Sequence, residues 1–295
     1  MDRPVATPRS RLSRLRLRLG RLPLPVLLSA AFVICLVVVA IFADFIAPHS
    51  PYDSSLARRM LPPFWEQEGS LAYPLGTDLV GRDILSRLIF GARASLTVAA
   101  AAILLAAALG LAVGAIAGFV GGTVDTVLMR IADGVLAFPL IFLALLLVVI
   151  IGPNFWNVII AITLMLWARY ARVVRSETLV LRERDFVALA RVAGCSSARI
   201  LLHHIVPNVV NTLVVLMTLQ VGLAIMTEAA LSFLGAGVPP PTPAWGSMVA
   251  EGRNYINTAW WIVIAPASAI TLTVLALNAL GDGLRDLLDP RQRRI

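Results

Sequence analysis

The stretch GVLAFPLIFLALLLVVIIGPNFWNVIIAITLMLWA, residues 134–168, contains no charged side chain. A helix needs about 20 consecutive apolar residues to cross a bilayer, so this run is too long for a single crossing. Gly152-Pro153-Asn154 interrupts the run, and proline cannot continue a helix because it lacks the N–H donor and its ring clashes with the preceding turn. The stretch therefore predicts two membrane-spanning helices joined as a hairpin.

The composition of the whole chain is that of a protein surrounded mostly by lipid. Of its 295 residues, 59% are hydrophobic and 14% are charged, and the mean hydropathy is +0.85. These values lie outside the usual balance of a soluble domain. Several membrane crossings leave little length for a separate catalytic domain. The formal charge of +8 is typical of a cytoplasmic topology signal, which we favour over nucleic-acid binding.

The apolar runs predict an all-α, polytopic membrane protein with six transmembrane helices. The runs are residues 24–43, 94–119, the two arms of 134–168, 208–234 and 260–280. Nineteen of the 25 basic residues, all arginine, then lie on one side of the membrane. This positive-inside bias places both termini in the cytoplasm, and an odd number of crossings would spoil it.

The predicted organisation has four segments. They are a cytoplasmic basic amphipathic segment (1–23), the first transmembrane helix with an extracytoplasmic loop (24–91), a five-helix core with a cytoplasmic loop at about 176–207 (92–285), and a cytoplasmic tail (286–295). The first segment is either a short helix on the membrane surface or a disordered tail. A short cytoplasmic turn that begins at Gly121-Gly122 is expected between the second and third crossings.

The cytoplasmic loop contains the stretch DFVALARVAGCSSARILLHHIVPN, residues 185–208. We expect two short helices with a bend between them. Asp185 is placed to cap the first helix, and Gly194 suits the left-handed conformation that ends it. Ser196 or Ser197 is placed to cap the second helix.

One side of these two helices is predicted to be apolar. On the first helix the shared face consists of Phe186, Leu189, Ala190 and Ala193. The second helix carries Ile200 and Leu201, and Pro207 is expected to end or kink it. From periodicity alone, an amphipathic connector that rests on its own helical bundle is the alternative to a docking surface.

The loop resembles a known motif. Ala190, Gly194 and Pro207 stand in the order and spacing of the "EAA" loop found in permeases of binding-protein-dependent ABC importers. The sequence departs from that pattern at Ala188, where glutamate is usual, and at Leu189, where the first alanine of the motif is usual. The resemblance implies that this loop is a coupling loop whose helix docks on an ATPase.

Two further stretches are similar to the oligopeptide/dipeptide branch of that family, the "C" type permease. Residues 75–96, LGTDLVGRDILSRLIFGARASL, resemble the signature before the second span, and residues 227–246, TEAALSFLGAGVPPPTPAWG, resemble a second signature. On physical grounds the first stretch is a glycine-punctuated loop that leads into an amphipathic helix. Asp83 is expected to cap that helix and to pair with Arg87 four residues later, which favours structural anchoring over substrate contact.

The resemblance implies a heteromeric importer in a bacterial or archaeal inner membrane. A homologous "B" type permease would complete the pathway, two ABC ATPase subunits would dock on the cytoplasmic loops, and an extracytoplasmic solute-binding protein would deliver the cargo. Oligopeptides or dipeptides are the expected cargo, with nickel chelates, glutathione or another small solute as alternatives. ATP and Mg would bind the partner ATPases, because a chain without lysine cannot contain the G-x-x-x-x-G-K loop.

The chain offers no pattern for catalysis, a cofactor or a metal. His203 and His204 are adjacent, so they point to different sides of a helix and do not make a metal pair. Cys35 and Cys195 lie in different predicted compartments and are not expected to form a disulfide.

Glu228 lies in the last turns of the fifth predicted span, where an ionisable group is costly unless it faces water or a partner. We consider two roles for it: a contact in the pathway or gate, and a hydrogen bond to backbone or to the extracytoplasmic loop. Two other classes of protein remain as rivals, an ion-coupled secondary transporter and a membrane scaffold. The former would be expected to show internal repeats and ionisable or interrupted helices near the midplane, and the sequence shows neither repeated segments nor a buried ionisable pair.

Overall fold

The computed structural model describes residues 23–288, which form helices joined by loops, with an isolated antiparallel bridge between Thr77 and Asp83. The helices are α1 (Leu24–Ile41), α2 (Ala43–Ile46), α3 (Ile84–Val120), α4 (Gly122–Ala137), α5 (Leu140–Ile151), α6 (Phe155–Arg182), α7 (Asp185–Val192), α8 (Ser197–Ile200), α9 (Val206–Phe233), α10 (Trp245–Gly252) and α11 (Trp261–Leu288). A π turn, Leu201–Ile205, joins α8 to α9. The alternatives for the basic N-terminal segment and the placement of the C-terminal tail beyond residue 288 lie outside the described residues.

The all-α, polytopic membrane fold predicted from the sequence is confirmed. Five helical segments are long and apolar enough to cross a bilayer: α1, α3, α6, the continuous segment from α8 to α9, and α11. A sixth crossing is present if α4 and α5 together count as one bent span. Helix α3 has 37 residues, about 55 Å at 1.5 Å per residue, so it extends beyond a hydrocarbon core of about 30 Å.

The third crossing differs from the prediction. Where a short cytoplasmic turn was expected, α4 begins at Gly122, and its axis meets that of α5 at 96°. The break lies at Phe138, whose backbone is extended (φ −82°, ψ 140°) because a residue before proline disfavours the helical region. Helix α5 has 12 residues, about 18 Å, and is too short to cross the hydrocarbon core without α4.

The second arm of the predicted hairpin is confirmed as α6. Gly152 has φ +94°, a conformation that glycine adopts at no steric cost. The side chain of Asn154 then caps α6 by accepting a hydrogen bond from the backbone N–H of Trp156 at 3.1 Å.

Helices α3 and α6 pack against each other through glycines. A methyl group added at Gly110 would lie 2.4 Å from Cβ of Tyr170, and one added at Gly114 would lie 2.4 Å from the carbonyl oxygen of Ala171. Small residues at such spacing let two helix backbones approach closely, which is how helices associate in lipid. Contact between α3 and α6 therefore depends on the absence of side chains at these positions.

The loop between α2 and α3 is tied to the helices by four charged side chains, which we call the ionic cluster. Arg82 donates from Nε to Asp78 Oδ2 at 2.6 Å and from Nη2 to Glu251 Oε2 at 2.9 Å. Arg87, which is 2% exposed, donates to Asp78 and, at 2.8 and 3.1 Å, to both carboxylate oxygens of Glu251. The cluster thus joins the loop and the start of α3 to α10, a short helix that the sequence did not predict.

The start of α3 confirms one prediction and corrects another. The Asp83 side chain caps α3, because its Oδ2 accepts from the backbone N–H of Ser86 at 2.9 Å and from Ser86 Oγ at 2.5 Å. The predicted ion pair between Asp83 and Arg87 is wrong. The cap holds the carboxylate of Asp83 on Ser86, and the guanidinium of Arg87 reaches the ionic cluster instead.

Replacement of Gly114 by alanine is expected to lower the free energy of unfolding by about 1–3 kcal/mol, because the added methyl forces α3 away from α6. The control is Gly134→Ala in α4, where an added methyl meets nothing within 4 Å and alanine favours the helix by up to about 1 kcal/mol. Thermal unfolding of the detergent-purified chain measures both. Equal midpoints for Gly114→Ala and the unsubstituted protein would contradict the close packing.

Candidate functional site

The predicted coupling loop folds as α7 and α8 with a tight bend between them. Gly194 has φ +79°, so the predicted left-handed conformation is confirmed. The N–H of Gly194 donates to the carbonyl of Arg191, and the N–H of Cys195 donates to the carbonyl of Ala190, each at 3.0 Å. These two bonds form a Schellman motif, which ends α7 and fixes the direction of the chain that follows.

The capping predictions are confirmed for one helix and corrected for the other. Ser196 caps α8 by accepting a hydrogen bond from the N–H of Arg199 at 3.4 Å. Asp185 does not cap α7: it is the first helical residue, and the N-cap position is held by Arg184 without a side-chain hydrogen bond. The carboxylate of Asp185 still lies in the first turn, where the helix dipole favours negative charge.

Pro207 does not end the second helix, so the first of the two predicted outcomes, an end or a kink, is wrong. Helix α8 continues through the π turn into α9, and Pro207 lies in the first turn of α9. Proline disrupts an α-helix because it cannot donate to the carbonyl four residues earlier, and a π turn shifts the local hydrogen bonds by one residue. The residues from Ser197 to Phe233 therefore form one continuous helical segment, which links the bend at Gly194 directly to a membrane span.

The two sides of α7 have opposite environments. Ala190 is 9% exposed, and it packs in the main core with Val187, Ile200 and Ile205. This corrects the prediction that Ala190 shares an apolar docking face with Phe186 and Leu189. The physical reason is that α7 packs against the helical bundle through the side that carries Val187 and Ala190, so both side chains are buried.

The opposite side of α7 exposes large apolar side chains. Phe186 is 39% exposed, Leu189 68% and Val192 87%; we call these three residues the outer face of α7. They recur at three-residue spacing, so they share one side of the helix. Val192 was missed because the predicted face was centred on Ala190, although the spacing from Phe186 through Leu189 leads to it. Ala188 is also exposed.

The outer face of α7 lies beyond the end of a membrane span and among charged groups. Helix α6 ends at Arg182, and Arg184, Arg191 and Arg199 flank α7 and α8. Arginines in this number are costly within a hydrocarbon core, so the outer face is not covered by lipid tails. An exposed apolar surface with a polar rim is typical of a protein interaction site.

The region next to α7 is fixed to the rest of the bundle. Arg182 donates from Nη1 to the carbonyl oxygens of Gly118 and Phe119, at 3.1 and 3.4 Å, and so joins the end of α6 to the end of α3. Arg175 forms a two-bond contact with Asp125 on α4, with 2.6 Å between Nη2 and Oδ2. These contacts join α6, the helix that precedes α7, to α3 and α4.

Glu228 is enclosed between α3 and α9. Its two carboxylate oxygens accept hydrogen bonds from Ser95 Oγ at 2.8 Å and from Ser232 Oγ at 2.7 Å, and the residue has no exposed surface. Its partners are thus two serine side chains, whereas backbone or the extracytoplasmic loop was expected. A role for Glu228 in the pathway or gate stays a prediction, since the carboxylate contacts no open cavity in this conformation.

Comparison with known proteins defines the class. Residues 110–294 match the family described as "Binding-protein-dependent transport system inner membrane component", and residues 25–63 match "N-terminal TM domain of oligopeptide transport permease C". The chain belongs to this family of inner-membrane components, whose members are permease subunits of ABC transporters. The first match includes α7, Gly194 and the π turn.

Individual relatives are similar in sequence to this chain along most of its length. It is 44% identical over 263 residues to the dipeptide transport system permease protein DppC of Escherichia coli K12, covering 89% of this chain and 88% of that one. It is 41% identical over 260 residues to the di/tripeptide transport system permease protein DppC of Pseudomonas aeruginosa, covering 88% and 86%. A putative peptide transport system permease protein of Brucella suis is 43% identical over 264 residues, covering 90% and 87%.

Replacement of Gly194 by valine is expected to raise hydrogen–deuterium exchange at the amides of residues 194–200. A left-handed conformation costs a side-chain-bearing residue about 1–2 kcal/mol, and an added Cβ at Gly194 meets nothing within 4 Å, so the effect is one of backbone conformation alone. Gly194→Asn is the control, because asparagine tolerates this region. If both variants exchange like the unsubstituted chain, the bend does not depend on the left-handed residue.

Proposed function

We propose that this chain forms half of the translocation pathway of an ATP-driven peptide importer, and that the outer face of α7 docks on an ATPase subunit. The observation that carries the proposal is the exposure of Phe186, Leu189 and Val192. These three residues lie outside the lipid and within residues 110–294, the part of the chain that matches the family. Burying a large apolar side chain contributes about 1.5–3 kcal/mol before the costs of association. Three such side chains at the centre of one contact would form the apolar core that a stable protein interface needs.

Coupling would proceed by rigid-body motion. When the ATPase pair closes on ATP, the force enters at α7, whose inner side is packed in the core through Val187 and Ala190. It then passes through the π turn into α9 and through Arg182 into α3. Motion of these helices would open the pathway alternately to each side of the membrane. ATP and Mg would bind the partner chains, and this chain would need no cofactor of its own.

The other partners are proposed from the family description and from the resemblance of the loop and signature stretches. A second permease of "B" type would complete the pathway, and an extracytoplasmic binding protein would deliver the solute. Dipeptides and tripeptides are the proposed cargo because the relatives from E. coli and P. aeruginosa carry those names. Nickel chelates, glutathione or another small solute is the alternative cargo, and an ion-coupled secondary transporter is disfavoured by the family match.

Both termini and α7 are proposed to be cytoplasmic, with the segment that follows α2 outside. In a chain without Cys35 and Cys195, Ser54→Cys should react with an impermeant maleimide added to intact spheroplasts, and Ser197→Cys should react only after lysis. Both serines are exposed, so reactivity reports the side of the membrane. Equal labelling of the two positions in intact cells would refute the orientation.

Replacement of Leu189 or Val192 by glutamate should leave the amount of the chain in the membrane unchanged and abolish ATPase co-purification and dipeptide uptake. The reason is that a charge on the outer face is solvated in the free chain and must be desolvated in the complex, at a cost of several kcal/mol. Co-purification from the co-expressed four-chain complex and uptake by cells measure the two effects.

Two controls separate docking from folding. Ser197→Glu adds the same charge at an exposed position on α8 and should keep ATPase association. Ala190→Asp places a charge on the buried side of α7 and should lower the abundance of the chain itself. Normal ATPase association in both Leu189→Glu and Val192→Glu would show that the outer face is not the docking surface.

A further inference from the structure

A cavity of about 530 Å³ opens at the extracytoplasmic end of the chain. The turn that follows α9 forms one wall, and α10 with the residue after it forms the other, with Ser247, Glu251 and Arg253 among the polar lining residues. Ligand sites for small molecules typically measure about 300–1,000 Å³ and combine an apolar lining with a few polar groups. The cavity thus has the size of a small-molecule site.

The charge that faces this cavity is positive. Glu251 belongs to the ionic cluster, in which two carboxylates and two guanidinium groups balance one another. Arg253 has no carboxylate oxygen within 4.0 Å among the described residues, and its side chain donates no hydrogen bond to any of them. The net electrostatic attraction of the cavity is therefore for an anion.

Arg253 is held at the wall by an aromatic ring. Its guanidinium carbon lies 5.7 Å from the centroid of the Phe233 ring, a cation–π contact that orients the group and leaves its N–H donors available. Phe233 also lines the cavity. An arginine fork of this kind matches the geometry of a carboxylate, which it binds through two parallel hydrogen bonds.

The turn after α9 is shaped by close backbone packing. A methyl group added at Gly237 would lie 1.9 Å from Ser232 Oγ, so this wall consists of main chain packed on α9. Ser232 lines the cavity and also donates to the buried carboxylate of Glu228. Ser232 and Glu251 both line the cavity and both also make a polar contact behind its wall. The partner of Ser232 is Glu228, and the partner of Glu251 is Arg87. The walls are fixed before any ligand arrives.

We infer that this cavity binds the carboxylate of a short peptide, with Arg253 as the residue that recognises it. The inference rests on the proposed function, since it places a peptide at the extracytoplasmic end of the pathway. The α-carboxylate is the group that every free peptide shares whatever its side chains. A site that holds this group accepts cargo of varied sequence. Glu228 then supports the wall through Ser232 and does not touch the peptide.

The test uses the complete complex of two permeases and two ATPases in lipid nanodiscs, without the binding protein. Saturation-transfer NMR measures the affinity for dialanine and for dialanine amide, which lacks the carboxylate. We expect dialanine to bind at least tenfold more tightly than its amide, and Arg253→Gln to reduce that affinity at least tenfold. The control is Arg59→Gln, which removes an exposed cation that does not line the cavity and should change the affinity less than twofold.

Any of three affinity measurements would overturn the inference. The first is equal affinity of the complex for dialanine and its amide, and the second is an unchanged affinity for dialanine in Arg253→Gln. The third is a loss of affinity in Arg59→Gln equal to that in Arg253→Gln. Absence of dialanine binding together with weakened docking of the binding protein to Arg253→Gln would also overturn it, because Arg253 would then serve a protein interface. Dialanine uptake by the unsubstituted complex with its binding protein tests the proposed cargo separately. If the unsubstituted complex takes up dialanine and Arg253→Gln takes it up equally well, this inference is wrong and the proposed cargo is supported.

Discussion

The contact between α3 and α6 is the interaction on which the rest of the structure depends. It requires bare backbone at Gly110 and Gly114, because in lipid two helices gain little from burying apolar side chains and associate through close van der Waals packing. Helix α3 carries Arg87 in its first turn, and α6 leads from the other end of this pair into α7. One packed pair therefore sets the distance between the ionic cluster at one end of the bundle and α7 at the other.

Around this pair, several polar contacts lie where helices end. Arg182 satisfies carbonyls at the end of α3, and Asp83 satisfies an N–H at its start, which are the groups that a helix leaves unpaired. The buried Glu228 lies between α3 and α9, away from a helix end of α3, and two serine hydroxyls satisfy it. Contacts at these helix ends are what the proposed transmission of a displacement from α7 to the membrane helices would require.

The sequence predicts what local chemistry decides. Apolar runs give the spans, and the left-handed turn follows from Gly194, since glycine alone adopts it freely. It does not predict what tertiary packing decides. The bend before Pro139 was hidden in an uncharged run in which Gly152-Pro153-Asn154 was the more obvious break. The sides of α7 were misassigned because alanine and leucine both count as apolar in a periodicity pattern, and only the position of the bundle shows that Ala190 is buried and Leu189 exposed.

The central claim is that the outer face of α7 meets the ATPase while its inner side stays within the bundle. Photo-crosslinking in the assembled importer tests it most directly, with a photoreactive amino acid at Leu189 or Val192 on the outer face and at the exposed Ala198 on α8 as the comparison. We expect strong crosslinks to an ATPase chain from the two outer-face positions and weak ones from Ala198. Crosslinks from Leu189 and Val192 to lipid or to the chain itself, with none to an ATPase, would contradict it.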